Sequence, residues 1–86
     1  MDTHVRIYFY EDGSKESKRL FSEGTASTFK SHGIDALDIN EGDTFTLVEN
    51  DEDIMVKVYQ VVYKLDKNER EYHVAPPTVS PYQFNK

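Results

Sequence analysis

The sequence contains no cysteine and no tryptophan, and long apolar runs are also missing. Without cysteine, neither disulfides nor cysteine-ligated zinc can stabilise the fold, which fits a reducing compartment. The longest apolar-leaning stretch, IMVKVYQVVYKL, contains two lysines and is too short to cross a bilayer as a helix. The first residues, MDTHVRIYFY, lack the basic segment and apolar run of a signal peptide. These absences predict a cytoplasmic protein without a membrane span.

Basic residues are scarce. Ten lysines and arginines stand against 16 aspartates and glutamates, which gives a net charge of −6. A general nucleic-acid binder needs a basic patch to neutralise phosphates, and an anionic membrane surface also attracts basic segments. The charge therefore argues against both partners. It favours a basic partner, or it serves solubility alone.

Catalytic and metal-binding motifs are missing as well. His4, His32 and His73 show no ligand spacing, and no nucleophile elbow or phosphate-cradling glycine loop occurs. Asp38-Ile-Asn-Glu-Gly42 has some likeness to a calcium loop, but its glycine is one position early and flanking helices are not predicted. We therefore expect no enzyme activity, metal or cofactor, and we interpret His73 as a half-exposed strand histidine.

The chain, at 86 residues, is long enough for one small domain. Apolar and polar residues alternate from Val5 to Tyr10, Asp12-Gly13 is typical of a tight hairpin turn, and residues 16–22 form a polar return strand. Thr25 or Ser27 caps a short helix that Gly33 ends. Three further strands are predicted at residues 44–48, 54–65 and 70–75, with a non-pairing turn at residues 50–53.

Five short strands and one short helix predict a small antiparallel β-barrel of the SH3-like or OB-like type, with a two-layer α+β roll as the alternative. On the long strand, Ile54, Val56, Val58 and Val62 are predicted to share one face. The domain covers residues 1–75. Residues 76–86 form a tail that contains all three prolines.

Eight carboxylates are concentrated in the stretch DALDINEGDTFTLVENDED, and no lysine or arginine occurs between Ser31 and Val56. A solubility surface normally mixes both signs of charge. Two acidic turns on either side of a short strand hold carboxylates at spacings comparable to those of phosphates along a nucleic acid. We interpret the segment as a partner-binding surface, with a solvated face as the alternative; the predicted residues are Asp35, Asp38, Glu41, Asp43, Glu49, Asp51, Glu52 and Asp53.

Tyrosine side chains form the second candidate interface. Tyr8 and Tyr10 share one face of the first strand, and Tyr59 and Tyr63 share one face of the long strand. Such rings stack on bases in some barrels, but that function also needs a basic groove. The alternative is that they fill a thin core. The tail adds two further aromatic candidates, Tyr82 and Phe84.

The segments RIYFYEDGSK and INEGDTFTLVENDEDIMVKVYQVVYKLDKNEREYHV resemble small acidic β-rich proteins encoded by phages and prophages. In those proteins a GDTF turn precedes a strand, and a charged turn follows the KVYQVVYKLD strand. Such proteins often bind and inhibit host enzymes, including defence nucleases, and some of them mimic nucleic acid. The resemblance implies a function of this kind for the chain. It carries no residue tied to an activity.

These observations predict a non-enzymatic module that presents an acidic edge to a basic protein surface, such as a host nuclease or another nucleic-acid-binding protein, in the host cytoplasm. The second hypothesis is a small structural or accessory module, with a homo-oligomer left open. The third is a nucleic-acid-binding barrel. The sequence does not identify the partner.

Overall fold

The computed structural model of the protein describes residues 2–78. The aromatic tail candidates Tyr82 and Phe84 lie outside the described residues. Two short 3-10 turns, Lys15–Ser17 and Ala36–Asp38, accompany the regular elements. Those elements are β1 His4–Tyr10, β2 Lys18–Thr25, α1 Ala26–Ser31, β3 Thr44–Glu49, β4 Glu52–Lys64 and β5 Glu69–Ala75.

The five strands form one sheet in the order β2-β1-β5-β4-β3. The predicted five-stranded β domain with one short helix is confirmed, and the sheet curls into a half-barrel. One pairing differs from the all-antiparallel expectation, because β1 and β5 run parallel, with His4 opposite Glu69 and Phe9 opposite Val74. Parallel neighbouring strands need a long crossover connection, and here β2, α1, β3 and β4 form it. The alternation of residues within a strand does not reveal the strand's direction, so the sequence pattern did not predict this pairing.

The core lies on the concave side of the curled sheet. Phe29 of α1 and Ala36 of the following 3-10 turn are buried in the same cluster, and the Tyr72 hydroxyl donates a hydrogen bond to the Ala36 carbonyl. Burial of these side chains is the main favourable contribution to folding. The other buried members of the cluster come from four strands: Val5, Ile7, Phe9, Leu47, Val56, Val58, Tyr72 and Val74.

A β-bulge at Tyr59 changes which residues of β4 face the core. Val58 lies opposite Val74, whereas Gln60 lies opposite His73, so one extra residue is inserted between them. The predicted face that joined Val58 to Val62 is therefore wrong at Val62. Val61 packs against the core instead.

Helix α1 follows its local sequence signals. The Thr25 hydroxyl accepts a hydrogen bond from the backbone N–H of Thr28 (3.2 Å), which confirms the predicted N-cap. Gly33 follows the last turn with a φ of 82°, a conformation that favours glycine at this position.

The connection between β1 and β2 is longer than the predicted two-residue turn. Gly13 does turn, with a φ of 83°, but a 3-10 turn follows and β2 begins only at Lys18. The Asp12 carboxylate accepts hydrogen bonds from the N–H and the hydroxyl of Ser14, and such local bonds stabilise a wider loop. The predicted return strand at residues 16–22 is therefore displaced to 18–25.

Candidate functional site

Strands β3 and β4 form a regular hairpin at one edge of the sheet. Their register is continuous from Thr44 opposite Lys57 to Glu49 opposite Glu52. The two residues between them, Asn50 and Asp51, have φ values of 52° and 63°, as a type I′ turn requires. The predicted non-pairing turn at residues 50–53 is therefore wrong, because Glu52 and Asp53 already belong to β4.

The turn before β3 is held against the middle of β4. Gly42 N–H donates to the Val58 carbonyl and Val58 N–H donates to the Asp43 carbonyl, each at 2.8 Å. The Asp43 carboxylate accepts the backbone N–H of Asn40 at 2.9 Å. Both ends of β3 are therefore anchored. A six-residue strand sets the two acidic turns about 20 Å apart.

Glu49 differs from the other predicted partner-binding acids, because it is half-buried and already has a partner. Arg19 Nη1 donates to Glu49 Oε2 at 2.9 Å and Arg19 Nη2 donates to Oε1 at 2.8 Å. These hydrogen bonds from Arg19 hold the pKa of Glu49 below its ordinary value, although desolvation opposes them. Arg19 is on β2 and Glu49 on β3, so this ion pair joins the two outer strands of the curled sheet.

The other seven carboxylates are exposed, and we call them the acidic edge. None of them takes part in an ion pair within residues 2–78. The ion pairs there use Glu11, Glu23, Glu49, Glu69 and Glu71. Five members lie beside β3, and Asp35 and Asp38 lie at the 3-10 turn Ala36–Asp38 earlier in the chain. The acidic edge comprises Asp35, Asp38, Glu41, Asp43, Asp51, Glu52 and Asp53.

The acidic edge has no metal-ligand geometry. Within the described part of the chain, no three histidine, aspartate or glutamate side chains come together in a way that would hold a metal ion. Over the same residues, no helix has the length and apolar character needed to cross a membrane.

A second group of polar side chains, which the sequence did not predict, lies on the convex face. His73 is only 5% exposed, so its interpretation as a half-exposed histidine is wrong. The Tyr8 ring stacks on the imidazole with centroids 5.2 Å apart. Tyr10 Oη lies 2.8 Å from His73 Nδ1, and Glu71 Oε1 lies 3.3 Å from His73 Nε2. We call Tyr8, Tyr10, Glu71 and His73 the His73 cluster.

The contacts of the His73 cluster define its protonation. A carboxylate only accepts, so Nε2 carries the proton toward Glu71 and the Tyr10 hydroxyl donates to Nδ1. Burial lowers the pKa of His73, and the nearby ammonium groups of Lys18 and Lys64 act in the same direction, against the opposing effect of Glu71. Burial also raises the pKa of the Tyr10 hydroxyl, so this tyrosine is not activated as a nucleophile.

Burial alone would raise the pKa of Glu71, but hydrogen bonds from Lys64 and His73 and their charges together outweigh it and lower that pKa. Lys64 Nζ lies 2.8 Å from Glu71 Oε2. The cluster depends on the parallel pairing of β1 with β5, which places Tyr8 opposite His73. No local signal in the sequence shows that pairing.

The four tyrosines predicted as a second interface have different surroundings. Tyr8 and Tyr10 belong to the His73 cluster, and Tyr10 is buried. Tyr59 lies at the bulge with the Lys57 ammonium 5.5 Å from its ring centroid. Tyr63 is 51% exposed and has the Arg70 guanidinium over its ring. The structure therefore does not bring them together as one aromatic surface.

Comparisons of the chain with models of protein families, with curated proteins and with solved structures gave no match.

Proposed function

We propose that this protein is a non-enzymatic binding module that presents its acidic edge to a basic surface of another protein. One observation carries the proposal. None of the seven exposed carboxylates has an ion-pair partner in residues 2–78. Five of them lie in the turns at the two ends of the outermost strand β3 or at the adjoining start of β4: Glu41, Asp43, Asp51, Glu52 and Asp53.

The arrangement has an energetic cost for the isolated protein. Like charges close together repel, and this repulsion lowers the stability of the compact state. The same fold neutralises other acids efficiently, as Arg6 does for Glu23 and Glu69 and Lys64 does for Glu71. A basic partner surface would remove the repulsion and would also speed encounter through long-range attraction.

The finer proposal is that the partner is a protein that handles nucleic acid, such as a host nuclease, and that the acidic edge occupies its phosphate-binding surface. Two anchored acidic turns about 20 Å apart are a rigid analogue of a run of phosphates. The phage context, and with it inhibition of a host defence protein in the host cytoplasm, rests on the resemblance of the quoted segments.

The two other hypotheses have weaker support. Base stacking would need free tyrosine rings over a basic groove, but Tyr8 and Tyr10 are engaged with His73. An oligomeric accessory module would use exposed apolar side chains, and the most exposed of these on strands, Val48 and Met55, adjoin the acidic edge itself.

The test compares three forms of the protein as bait in a bacterial lysate, with captured proteins identified by mass spectrometry. The first is wild type. The second carries Asp51→Asn, Glu52→Gln and Asp53→Asn. The third is a control with the same change in net charge, in which the exposed acids Glu11, Glu16 and Asp66 are replaced by Gln, Gln and Asn.

We expect a partner that wild type and the control retain and that the acidic-edge variant loses. With the purified partner, the acidic-edge variant should bind on the order of tenfold more weakly, and raised salt should weaken wild type in the same way. If all three baits capture the same proteins equally well at low and high salt, the acidic edge is not the binding surface.

A further inference from the structure

The outer side of β3 offers a row of backbone groups without partners in the described chain. In a two-residue hairpin, the residues that flank the turn, here Glu49 and Glu52, exchange hydrogen bonds, and the pairs alternate from there. Leu47 and Phe45 therefore bond to β4. The N–H and C=O groups of Thr44, Thr46 and Val48 point away from the sheet. Within residues 2–78, no backbone hydrogen bond reaches β3 from any element other than β4.

The two edges of the sheet differ in how they are protected. The β2 edge has a register shift at Phe21 and carries Lys18 and Arg19, and bulges and basic side chains are standard ways of preventing strand addition. The β3 edge has a regular register without a bulge, a proline or a basic residue. Only its acidic ends restrict what can pair with it.

We propose that the β3 edge binds an extended segment of the partner, rich in lysine or arginine, as a sixth strand of the sheet. This inference rests on the proposed function and specifies how the basic partner is recognised. Backbone hydrogen bonds to Thr44, Thr46 and Val48 give affinity, and side chains give specificity.

The side chains beside the edge fit such an occupant. Val48 is 64% exposed on the convex face, directly opposite Asp53, with Asp51 in the adjoining turn. The aliphatic part of a lysine or arginine on the added strand covers Val48, and its charged end reaches these carboxylates. On the concave side, Phe45 and Leu47 favour alternate apolar residues in the segment. The recognised pattern is basic and apolar in alternation.

A second copy of this chain is a poor occupant of the same edge. Pairing of two β3 strands, in either direction, brings the acidic turns at Asp43 and Asp51 of one copy against those of the other. Like charges directly opposite each other are destabilising. The acidic ends therefore disfavour self-association at this edge while they leave it open to a basic strand.

The test uses two probe peptides as long as β3, both with lysine alternating with valine or threonine. In one, every backbone nitrogen is methylated, so the charge is unchanged but strand pairing is blocked. We expect the unmethylated peptide to bind at least about tenfold more tightly. Amide hydrogen exchange at Thr44, Thr46 and Val48 should be fast in the free protein and slow in that complex.

A protein variant gives an independent check. Thr46→Pro removes an outward-facing N–H without removing a bond to β4, and edge strands tolerate proline at such positions. Thr46→Pro should weaken binding of the unmethylated peptide and leave the weak binding of the methylated peptide unchanged. The control Thr46→Val should weaken the binding of neither peptide.

Equal binding of both peptides, with the three amides still exchanging fast, overturns strand addition and leaves the proposed function intact. If neither peptide binds, strand addition is also overturned. The proposed function is not affected by that result, because the three-bait comparison tests it separately. A third outcome is that the free protein forms a concentration-dependent dimer in which these amides exchange slowly without peptide. That result identifies a second copy of the chain as the occupant and overturns binding of a partner segment.

Discussion

The acidic edge and the convex face differ in whether their carboxylates have ion-pair partners. Outside the acidic edge, five glutamates, including Glu49 at the end of β3, each lie within 3.3 Å of an arginine, lysine or histidine nitrogen. The seven carboxylates of the acidic edge, five of them beside β3, are exposed without such a partner in the described residues. A lysine does lie close to β3, because Lys57 on β4 is opposite Thr44. Its ammonium group contacts the Tyr59 ring and not a carboxylate of the acidic edge.

This difference separates charge that stabilises the fold from charge that does not. Removing a member of the His73 cluster leaves buried polar groups without partners, which is costly. Removing the charge of Asp51, Glu52 or Asp53, whose carboxylates have no hydrogen bond or ion pair within the described residues, leaves nothing unsatisfied and relieves repulsion. Stability measurements therefore test the comparison directly.

The largest loss of stability is expected for a substitution at the core residue Val58. Val58 is fully buried, and its backbone holds the turn at Gly42 and Asp43. Val58→Asp buries an unpaired charge, which costs more than a small domain can tolerate, so the protein should be unfolded by circular dichroism. The control Val48→Asp makes the same change at an exposed position and should stay folded, with only a small loss of stability from repulsion by Asp53 opposite it. A folded Val58→Asp variant would contradict the core assignment.

Within the His73 cluster, Glu71→Gln should destabilise the protein by on the order of 1–2 kcal/mol. The replacement keeps the shape but removes the charge that satisfies Lys64 and His73. Chemical denaturation measures the loss. The matched control Glu52→Gln on the acidic edge should cost nothing; equal losses for the two variants would erase the distinction between the regions.

The ion pair between the two outer strands should contribute less. Arg19→Met removes the bidentate bond to Glu49, but solvent screens this half-exposed pair, so the loss of stability should be smaller than for Glu71→Gln. The control is Lys67→Met, an exposed lysine in the β4–β5 turn. A larger loss for Arg19→Met than for Glu71→Gln would show that closure of the half-barrel depends mainly on this contact.

Acid should destabilise the convex face through His73. The folded pKa of His73 lies below its ordinary value of 6.5, so the unfolded chain binds more protons as the pH falls below about 6.5. Stability therefore decreases from there toward the folded pKa, and the lowered pKa of Glu71 extends the loss to more acidic pH. His73→Gln should flatten the upper part of this dependence, and His32→Gln, at an exposed histidine, should not.

The smallest effect on stability belongs to the acidic edge. The variant with Asp51→Asn, Glu52→Gln and Asp53→Asn should melt at the wild-type temperature or slightly above it, because three like charges are removed and asparagine tolerates the positive φ at position 51. A clear loss of stability would mean that these carboxylates have partners within the fold.

Local signals in the sequence predicted what depends on neighbours along the chain. The alternation of β1, the cap at Thr25, the end of α1 at Gly33 and strand β3 all follow from such signals. Exposure of the acidic edge followed from composition. The details of the β3–β4 turn were wrong because Asn50-Asp51 supports a tighter turn than a run of polar residues indicates.

The remaining features depend on contacts between distant positions. Arg19 and Glu49 lie 30 residues apart, and Tyr10 and His73 lie 63 apart, so their pairing follows only from the strand order. The bulge at Tyr59 reverses the faces of the rest of β4, and an alternating apolar pattern does not reveal an inserted residue. Burial of His73 follows from both features.

The parallel pairing of β1 with β5 has a consequence for how the chain folds. These two strands are the first and the last of the sheet in chain order, yet they are adjacent at its centre. Closing so long a loop costs entropy before any contact is gained, which slows folding. During synthesis, the β1–β2 and β3–β4 hairpins emerge before β5 and have no common neighbour. The sheet becomes a single cooperative unit only when Glu69–Ala75 enters between them.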